Sequence, residues 1–551
     1  MSPTTARIMP IVYQDRAAIS LYEARSSSTV AGTTPGPIPE STVQLVVARL
    51  SHFKTVCADF GVPPENVHVL ATEATRTAPN SAEFRRRIKD QAGWEVELLS
   101  KEYEGRLGAM GVASSSTSTS GLVMDMGGGS VQMTWVTEER GVVTTCPRGS
   151  FSFPYGAAAL IARLGEMQKG SKAREHLKAE MINNFQHAYK ELQIPSSLVE
   201  AARARGGFDL FLCGGGFRGW GYVLMAQSKI DAYPIPIING FRVSRGDFYN
   251  TSSVLKTVSS NEDTKIFGVS KRRASQIPAV AFLVDAVVEA LPVINTIEFC
   301  QGGVREGFLF DRLPVEIKAQ EPLLVATRPY APRSVDTVRA LLVSALPQSS
   351  SLLSSTRCPE SLSSSGSLLA AASDLLYAHS PVHRESRSAA ALHSTTTGIL
   401  ASANSIAHAD RAILALILAE RWSGDLPQAE QVFQRRLRKI LSAQEAWWCQ
   451  YVGRVAALIG TVYPSGVVPE GGWRVCFETR WETEVKKKDR VDVLCLTVIV
   501  NDTDKLANEM TRDSLREIGD KIEKIGKKKN WIQSEGGQSY GVKVGVDIIA
   551  G

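Results

Sequence analysis

Three glycine clusters, each following an apolar segment, limit what this chain can fold into more than any other feature of its sequence. The segments are residues 122–124, 208–212 and 297–299, and each is typical of a buried strand. The clusters that follow them are Gly127, Gly128 and Gly129; Gly214, Gly215 and Gly216; Gly302 and Gly303. One design repeated at three strand ends favours binding loops, although tight turns alone remain the alternative for any single cluster.

Glycine suits a binding loop for two physical reasons. It reaches positive φ without penalty and lets a ligand approach the backbone, and consecutive N–H groups can then hold phosphate oxygens in one concavity. The first cluster leads from a strand into another strand, so it differs from the strand-to-helix Rossmann and Walker arrangements. Asp125 stands at the end of its strand, where a carboxylate suits a magnesium ion or its waters beside phosphate.

The order of predicted elements favours α/β architecture, because strands alternate with helices as far as residue 312. We expect a strand over residues 7–16 and a helix that opens at residue 40. Asn80, with Glu83 three positions on, predicts a capping box at the start of another helix. The polar run 114–120 predicts a flexible hinge.

Shifts in this pattern predict four regions. Two α/β units cover residues 1–113 and 120–318, and a helical region with a serine-rich insert at 348–368 covers residues 328–465. A small α/β domain covers residues 470–551.

Composition is that of an ordinary soluble protein: 44% of the 551 residues are hydrophobic, and 62 basic against 56 acidic side chains give a formal charge of +6. The longest apolar run, 413–419, is far shorter than the ~20 residues a membrane span needs. We expect a cytoplasmic chain with reduced thiols, since no signal-peptide pattern opens it and its eight cysteines form no CxxC pair. The basic runs 486–488 and 527–529 are interpreted as solvated surface.

The chain resembles the exopolyphosphatase/guanosine pentaphosphate phosphatase (Ppx/GppA) family in motifs that follow the family's order. They are Ala71-Thr72-x-Ala74-x-Arg76-x-Ala78-x-Asn80-x-x-x-Phe84, Asp125-Met-Gly-Gly-Gly-Ser130, Phe151-Ser-Phe-Pro-Tyr-Gly156-Ala157, Gly214-Gly-Gly-Phe-Arg218 and Gly303-Val-Arg305-Glu306-Gly307. The resemblance covers about residues 7–312. It implies two actin/Hsp70-like (ribonuclease-H-like) domains that close on a phosphate-binding cleft, followed by a helical HD-like region.

The motif forms and the extension over residues 370–551 resemble a fungal regulatory branch of that family. This resemblance implies a cytosolic signalling role in the retrograde response, which reports mitochondrial state to the nucleus. Its expected ligand is Mg²⁺ with ATP or another phosphate-containing small molecule. The expected partners are regulatory proteins, with no membrane and no specific nucleic acid, and a homodimer is left open.

Catalytic roles are carried over from the family, which hydrolyses a terminal phosphate with a metal and a carboxylate-positioned water. The resemblance makes Glu104 the residual base and Asp125 a residual catalytic group and magnesium ligand. Two residues after Ser130 the enzymes carry Glu, whereas this chain has Gln132, whose amide cannot take a proton near pH 7. The family's Arg-Ala-Asp triplet ends in Ser275 here. We therefore expect weak or absent hydrolysis.

Phosphate or nucleotide binding is expected at Arg76, at Ser130 and at the glycines of the three clusters. One rival hypothesis is an active exopolyphosphatase or guanosine pentaphosphate phosphohydrolase, and another is a structural interaction protein without a ligand. The family opens with a hairpin that carries Asp-x-Gly-Ser, and no such segment precedes Arg7. From this we expect a truncated gene model that lacks the first phosphate loop.

Overall fold

The computed structural model describes residues 4–26, 36–116, 119–260, 265–347, 357–363, 366–470, 472–486, 489–501, 505–534 and 537–550. These residues form two compact units. The first unit comprises residues 11–228 and 238–319, and the second comprises residues 1–10, 229–237 and 320–551. The division into four regions stays a prediction.

The first unit mixes helices and strands, as the sequence predicts. Its helices are α1 (Leu21–Ser26), α2 (Glu40–Asp59), α3 (Glu73–Arg76), α4 (Ser81–Ala92), α5 (Lys101–Ser115), α6 (Ala157–Gly165), α7 (Lys172–Glu191), α8 (Ser196–Ala204), α9 (Gly214–Ala226), α10 (Arg245–Tyr249), α11 (Thr251–Ser260), α12 (Lys271–Ala290), α13 (Val304–Asp311) and α14 (Val315–Lys318). Its strands are β1 (Val69–Ala71), β2 (Val96–Leu98), β3 (Ser120–Met126), β4 (Val131–Glu139), β5 (Val142–Thr145), β6 (Phe151–Phe153), β7 (Phe208–Cys213), β8 (Phe241–Ser244) and β9 (Ile294–Phe299).

In the described part of the first unit, seven strands form one sheet in the order β5-β4-β3-β7-β9-β8, with β6 added on β4. Strands β3, β7 and β9 run parallel and are almost fully buried. Their carboxyl ends therefore lie at one edge of the sheet, and all three glycine clusters leave from that edge. Register places Asp125 opposite Gln132 on β4 and opposite Cys213 on β7.

Three local predictions for the first 120 residues are wrong. Residues 7–16 form a short 3-10 turn at Ala6–Ile8 followed by irregular chain, because no described strand pairs with them. Helix α4 forms as expected, but the amide of Asn80 exchanges hydrogen bonds with the Ile38 backbone (2.9 Å each) and caps nothing. The predicted hinge is largely buried: Ser114 and Ser115 continue α5 and donate to the Gly111 carbonyl. Residues 117–118 lie outside the described residues.

The second unit is helical through residue 462 and then α/β. Its helices are α15 (Pro322–Thr327), α16 (Val335–Ser344), α17 (Ser367–Leu375), α18 (Arg387–His393), α19 (His408–Arg421), α20 (Gln428–Arg438), α21 (Ala443–Val462) and α22 (Lys505–Ile525). Its strands are β10 (Val475–Lys486), β11 (Asp489–Val500), β12 (Ile532–Gln533), β13 (Ser539–Tyr540) and β14 (Lys543–Ala550).

One continuous hydrophobic core joins the helices of this unit to the sheet β10-β11-β14. Helix α19 is buried on all sides from Arg411 to Arg421, and it packs along α21, where Trp447, Trp448 and Tyr451 are fully buried. The aromatic residues are thus core, as helical spacing indicates. Within the described ranges no helix is long and apolar enough to cross a membrane. Most of the serine-rich insert (residues 348–356 and 364–365) and Lys487 and Lys488 lie outside those ranges.

All eight cysteines are free thiols. Five are buried, while Cys57, Cys358 and Cys476 are partly exposed. The free thiols agree with the reduced cysteines that the sequence predicts.

Candidate functional site

The first glycine cluster forms the tight loop between β3 and β4. The Gly127 N–H donates to the Ser130 carbonyl (2.9 Å), which closes the turn. Two amides at the start of α6 also bind the loop. The Ala157 N–H donates to the Gly127 carbonyl (3.0 Å) and the Ala158 N–H donates to the Gly128 carbonyl (2.9 Å). The carbonyls of the loop are therefore engaged inside the protein.

The N–H groups of the same loop are not engaged. Among the described residues, none accepts a hydrogen bond from the amides of Gly128, Gly129 or Ser130. Three consecutive amides that donate to no described protein group form a ready set of donors for an anion. This arrangement is what the sequence predicts for a phosphate loop.

The second cluster begins helix α9, which follows β7 directly. Gly214 has φ +88°, and a Cβ there would collide with the Asp125 carboxylate and the Met126 backbone. Glycine is therefore required for the chain to pass this close to Asp125. The first-turn amides of a 13-residue helix have no intrahelical acceptor. They add a second group of N–H donors at the same sheet edge.

Asp125 is partly buried between these two loops. Burial raises the pKa of its carboxyl above the ordinary 3.8, while a hydrogen bond from Cys213 and the charge of Arg218 act in the opposite direction. The net rise shows that the protein alone compensates the charge incompletely. A cation or a hydrogen-bond donor brought by a ligand would complete that compensation.

Arg76 and Glu104 form a pair at the start of α5. Arg76 Nη1 donates to Glu104 Oε2 (3.1 Å) and to the Leu99 carbonyl (2.6 Å), which locks the guanidinium in place. Burial raises the pKa of Glu104 above its ordinary value, against the lowering effect of Arg76. The Glu104 side chain is 12% exposed and Arg76 is 24% exposed, so the ion pair faces a narrow opening.

Glu104, Asp125 and Gln132 line one small cavity of about 20 Å³, together with α5 backbone at Gly105 and Gly108. That volume holds about one water molecule. The side-chain amide of Gln132 donates to Ser130 Oγ (2.8 Å), and this hydrogen bond joins the end of the phosphate loop to β4. The structure thus brings the two predicted carboxylates to one water-sized space.

The third cluster differs from the other two. The Gly302 amide donates to Ser115 Oγ (2.8 Å) and the Gly303 amide to Glu306 Oε2 (3.0 Å). A Cβ at Gly302 would strike the Gly111 backbone. The predicted phosphate contacts at Gly302 and Gly303 are therefore corrected, because both amides are already paired, and Gly302 lets the chain before α13 lie close to α5.

Two arginines of the site were missed as binding residues by sequence reasoning. Arg218 lies one helical turn after Gly214, and its Nε is buried without an acceptor among the described residues. The pKa of Arg273 is lowered by burial and then by the positive charges of Arg218 and Arg16. Positive charges that lie this close together favour an anion between them. The available signal was the basic residue inside the Gly214–Arg218 motif.

Magnesium fits this site on one condition. Among the described residues, no group of three or more His, Cys, Asp or Glu side chains converges. Mg²⁺ keeps several waters and usually takes one or two carboxylates together with ligand phosphate oxygens. Asp125 could supply that carboxylate while a phosphate on the loop amides supplied the rest.

Comparisons with known proteins divide the chain near residue 320. The model of the Ppx/GppA phosphatase family matches residues 2–316, and the model of the RTG2 C-terminal domain matches residues 321–550. Retrograde regulation protein 2 of Saccharomyces cerevisiae is 36% identical over 522 residues, which are 92% of this chain and 84% of that protein.

More distant matches cover the first part of the chain. Exopolyphosphatase 1 of Mycobacterium tuberculosis is 26% identical over 309 residues, 55% of this chain and 80% of that protein. A solved Aquifex aeolicus Ppx/GppA enzyme is 21% identical with a TM-score of 0.38, covering 50% of this chain and 85% of that one. An exopolyphosphatase structure from Cytophaga hutchinsonii is 21% identical with a TM-score of 0.38, covering 52% and 87%.

Proposed function

The chain belongs to the Ppx/GppA phosphatase family, and we propose that it is a cytoplasmic regulator of retrograde, mitochondria-to-nucleus signalling. In this proposal its glycine-loop site binds a phosphate-containing ligand, ATP or another, with Mg²⁺ and hydrolyses it weakly or not at all. The single observation that carries the binding step is the row of unpaired amides at Gly128, Gly129 and Ser130 beside the partly buried Asp125.

The signalling part of the proposal is supported by the relative named for retrograde regulation, which matches over 92% of this chain. The partners proposed are regulatory proteins that respond to the state of the site. A ligand can bias such binding only if it interacts differently with two conformations of the protein. Phosphate on loops from both β3 and β7 supplies such a difference, because it joins two elements through one anion.

Weak hydrolysis is proposed from the carboxylates that face the water-sized cavity. Phosphoryl transfer depends on electrostatic stabilisation and on a positioned water. Glu104 is held by Arg76, and the position opposite Asp125 on β4 carries the neutral Gln132, whose amide donates to Ser130. One fewer carboxylate beside Asp125 leaves a weaker grip on a catalytic metal.

Binding and hydrolysis are tested separately. Mg²⁺–ATP and polyphosphate should raise the melting temperature of the wild-type chain, and Gly128→Asp should remove the part of that rise that comes from the loop, because it places a carboxylate there. No atom lies within 4 Å of a Cβ at Gly128, so this variant should fold. An equal shift in the Gly128→Asp variant would refute binding at the loop.

The alternative function, an active exopolyphosphatase or guanosine pentaphosphate phosphohydrolase, is favoured by one observation: Glu104 and Asp125 share a space for a single water. Release of phosphate from polyphosphate by the wild type, lost in Glu104→Ala, would establish it. Under our proposal release is near background and rises in Gln132→Glu, which restores the family's carboxylate. Gln132→Asn is the matched control and should stay at background.

A further inference from the structure

A basic pocket of about 180 Å³ lies in the second unit, far along the chain from the glycine loops. The end of α19, the start of α18, and α21 and α22 surround it. Its charged lining consists of Arg384, Arg387, Arg421, Arg454 and Lys521, with one carboxylate, Glu420.

Arg421 is the central feature of this pocket. The residue is 7% exposed, and no described residue accepts a hydrogen bond from its Nε. The guanidinium lies over the Trp422 ring at 4.2 Å, and it occupies the space that a Cβ at Gly460 would fill. Gly460 therefore leaves space for the buried guanidinium. Burying an arginine that has no partner costs free energy.

The remaining charges do not neutralise it. Glu420 is already shared between Arg454 Nε (3.4 Å) and Arg438 Nη2 (3.6 Å). Arg384, Arg387 and Arg421 have no carboxylate within 4 Å among the described residues. Arg387 also lies over Trp422, at 5.0 Å, and its Nε donates to the Val382 carbonyl (2.8 Å), so its position is fixed.

The backbone just after α19 also lines this pocket. Helix α19 ends at Arg421, and Ser423, two residues later, has φ +81°, a left-handed conformation that residues other than glycine rarely adopt. The Ser423 amide donates to the Glu420 carbonyl (3.0 Å), and Ser423 itself lines the pocket. Strain of this kind persists where the surrounding structure requires it.

We propose that this pocket binds the phosphate groups of a compact polyphosphate anion, of which pyrophosphate is the simplest. Guanidinium groups bind phosphate oxygens in pairs and stay charged when buried. A volume of 180 Å³ is below the range of about 300–1,000 Å³ of pockets that enclose whole small molecules. The pocket therefore takes a free diphosphate, or the phosphate end of a nucleotide whose base stays outside.

The test uses the full-length Gly128→Asp chain, so that the loop site of the first unit does not contribute. Calorimetric titration with sodium pyrophosphate at constant ionic strength should show one site. Arg421→Met and Arg387→Gln should each weaken it at least tenfold, and Arg435→Gln, an exposed arginine outside the pocket with the same charge change, should leave it unchanged. Titration with ATP distinguishes the two sources of phosphate. If ATP affinity depends on the same two arginines, the pocket takes the phosphates of a nucleotide. If it does not, the pocket takes free diphosphate.

Stability without ligand separates binding from a structural role. A buried cation with no acceptor is costly, so Arg421→Met should melt at the same temperature as its parent or higher. It should also lose the stabilisation that pyrophosphate gives the parent. No pyrophosphate binding by the Gly128→Asp chain would overturn the proposal. So would equal affinities for Arg387→Gln and Arg435→Gln.

Discussion

The glycine-loop site of the first unit and the arginine pocket of the second unit both present unpaired donors, but they are built from different parts of the chain. The loop site uses backbone amides at Gly128, Gly129 and Ser130, beside the partly buried carboxylate of Asp125. The pocket uses side chains from four helices, around the buried cation Arg421. Backbone sites depend on glycine and local sequence, whereas side-chain sites depend on packing between distant segments.

Gly214→Ala should be the most damaging single change at the loop site. Its φ of +88° and the collision of a Cβ with Asp125 predict a loss of about 2–4 kcal/mol in the free energy of unfolding. Gly215→Ala is the matched control, because no atom lies within 4 Å of its Cβ and alanine favours a helix by about 0.5–1 kcal/mol. Denaturant unfolding of both variants measures the difference, and equal stabilities would contradict the geometry.

Gly460→Ala tests the other side of the comparison by a double-mutant cycle. In the wild type the added Cβ meets the Arg421 guanidinium, so we expect a loss of about 1–3 kcal/mol. In the Arg421→Ala background the same change should be neutral or stabilising, because the space is free and alanine favours the helix. Additive effects in the two backgrounds would show that the glycine does not serve Arg421.

Asp125→Asn should stabilise the ligand-free chain at neutral pH. Because burial raises the pKa of Asp125 above 3.8, the folded chain holds this proton to higher pH than the unfolded chain, and stability falls as pH rises through the folded pKa. The variant escapes that loss, so its Tm at pH 7 should exceed the wild type by about 2–4 °C. The gain should shrink towards pH 4.

Thermal melts at the two pH values check this expectation. Asp59→Asn, at an exposed position, is the control and should change the Tm at neither pH. A lower Tm for Asp125→Asn at pH 7 would mean that the arginines near Asp125 outweigh its burial. Added Mg²⁺ and phosphate should reverse the order, because only the wild type keeps the carboxylate that they need.

Periodicity and glycine placement predicted much of the fold. The strands before all three glycine clusters, helix α2 and the terminal strands appear where expected, and the α/β class is confirmed. The wrong prediction of a strand over residues 7–16 shows the limit of these patterns. An extended segment becomes a strand only if a neighbouring strand forms backbone hydrogen bonds with it. Asn80 shows a second limit. Its side-chain amide forms hydrogen bonds with the Ile38 backbone, 42 residues away in sequence, and does not cap the helix that follows it.

The candidate site was predicted unevenly for the same reason. Arg76, Glu104, Asp125 and the first two glycine clusters come together at one sheet edge, because parallel strands deliver their carboxyl ends there. The third cluster obeys the same rule of placement but is used for packing, since the chain at Gly302 lies against α5 at Gly111 and Ser115. The local sequence does not distinguish an amide without an acceptor from one that donates to a serine far away along the chain.

The sequence by itself determined the family, the glycine loops and the carboxylates near them, because these depend on residue type and short spacing. Tertiary structure decided which amides stay unpaired, that Glu104 and Asp125 share one water-sized space, and that Arg421 is buried without an acceptor. Those properties depend on what distant segments bring to the same place. Charge and hydrogen bonding act over a few ångströms in space, whatever the separation along the chain.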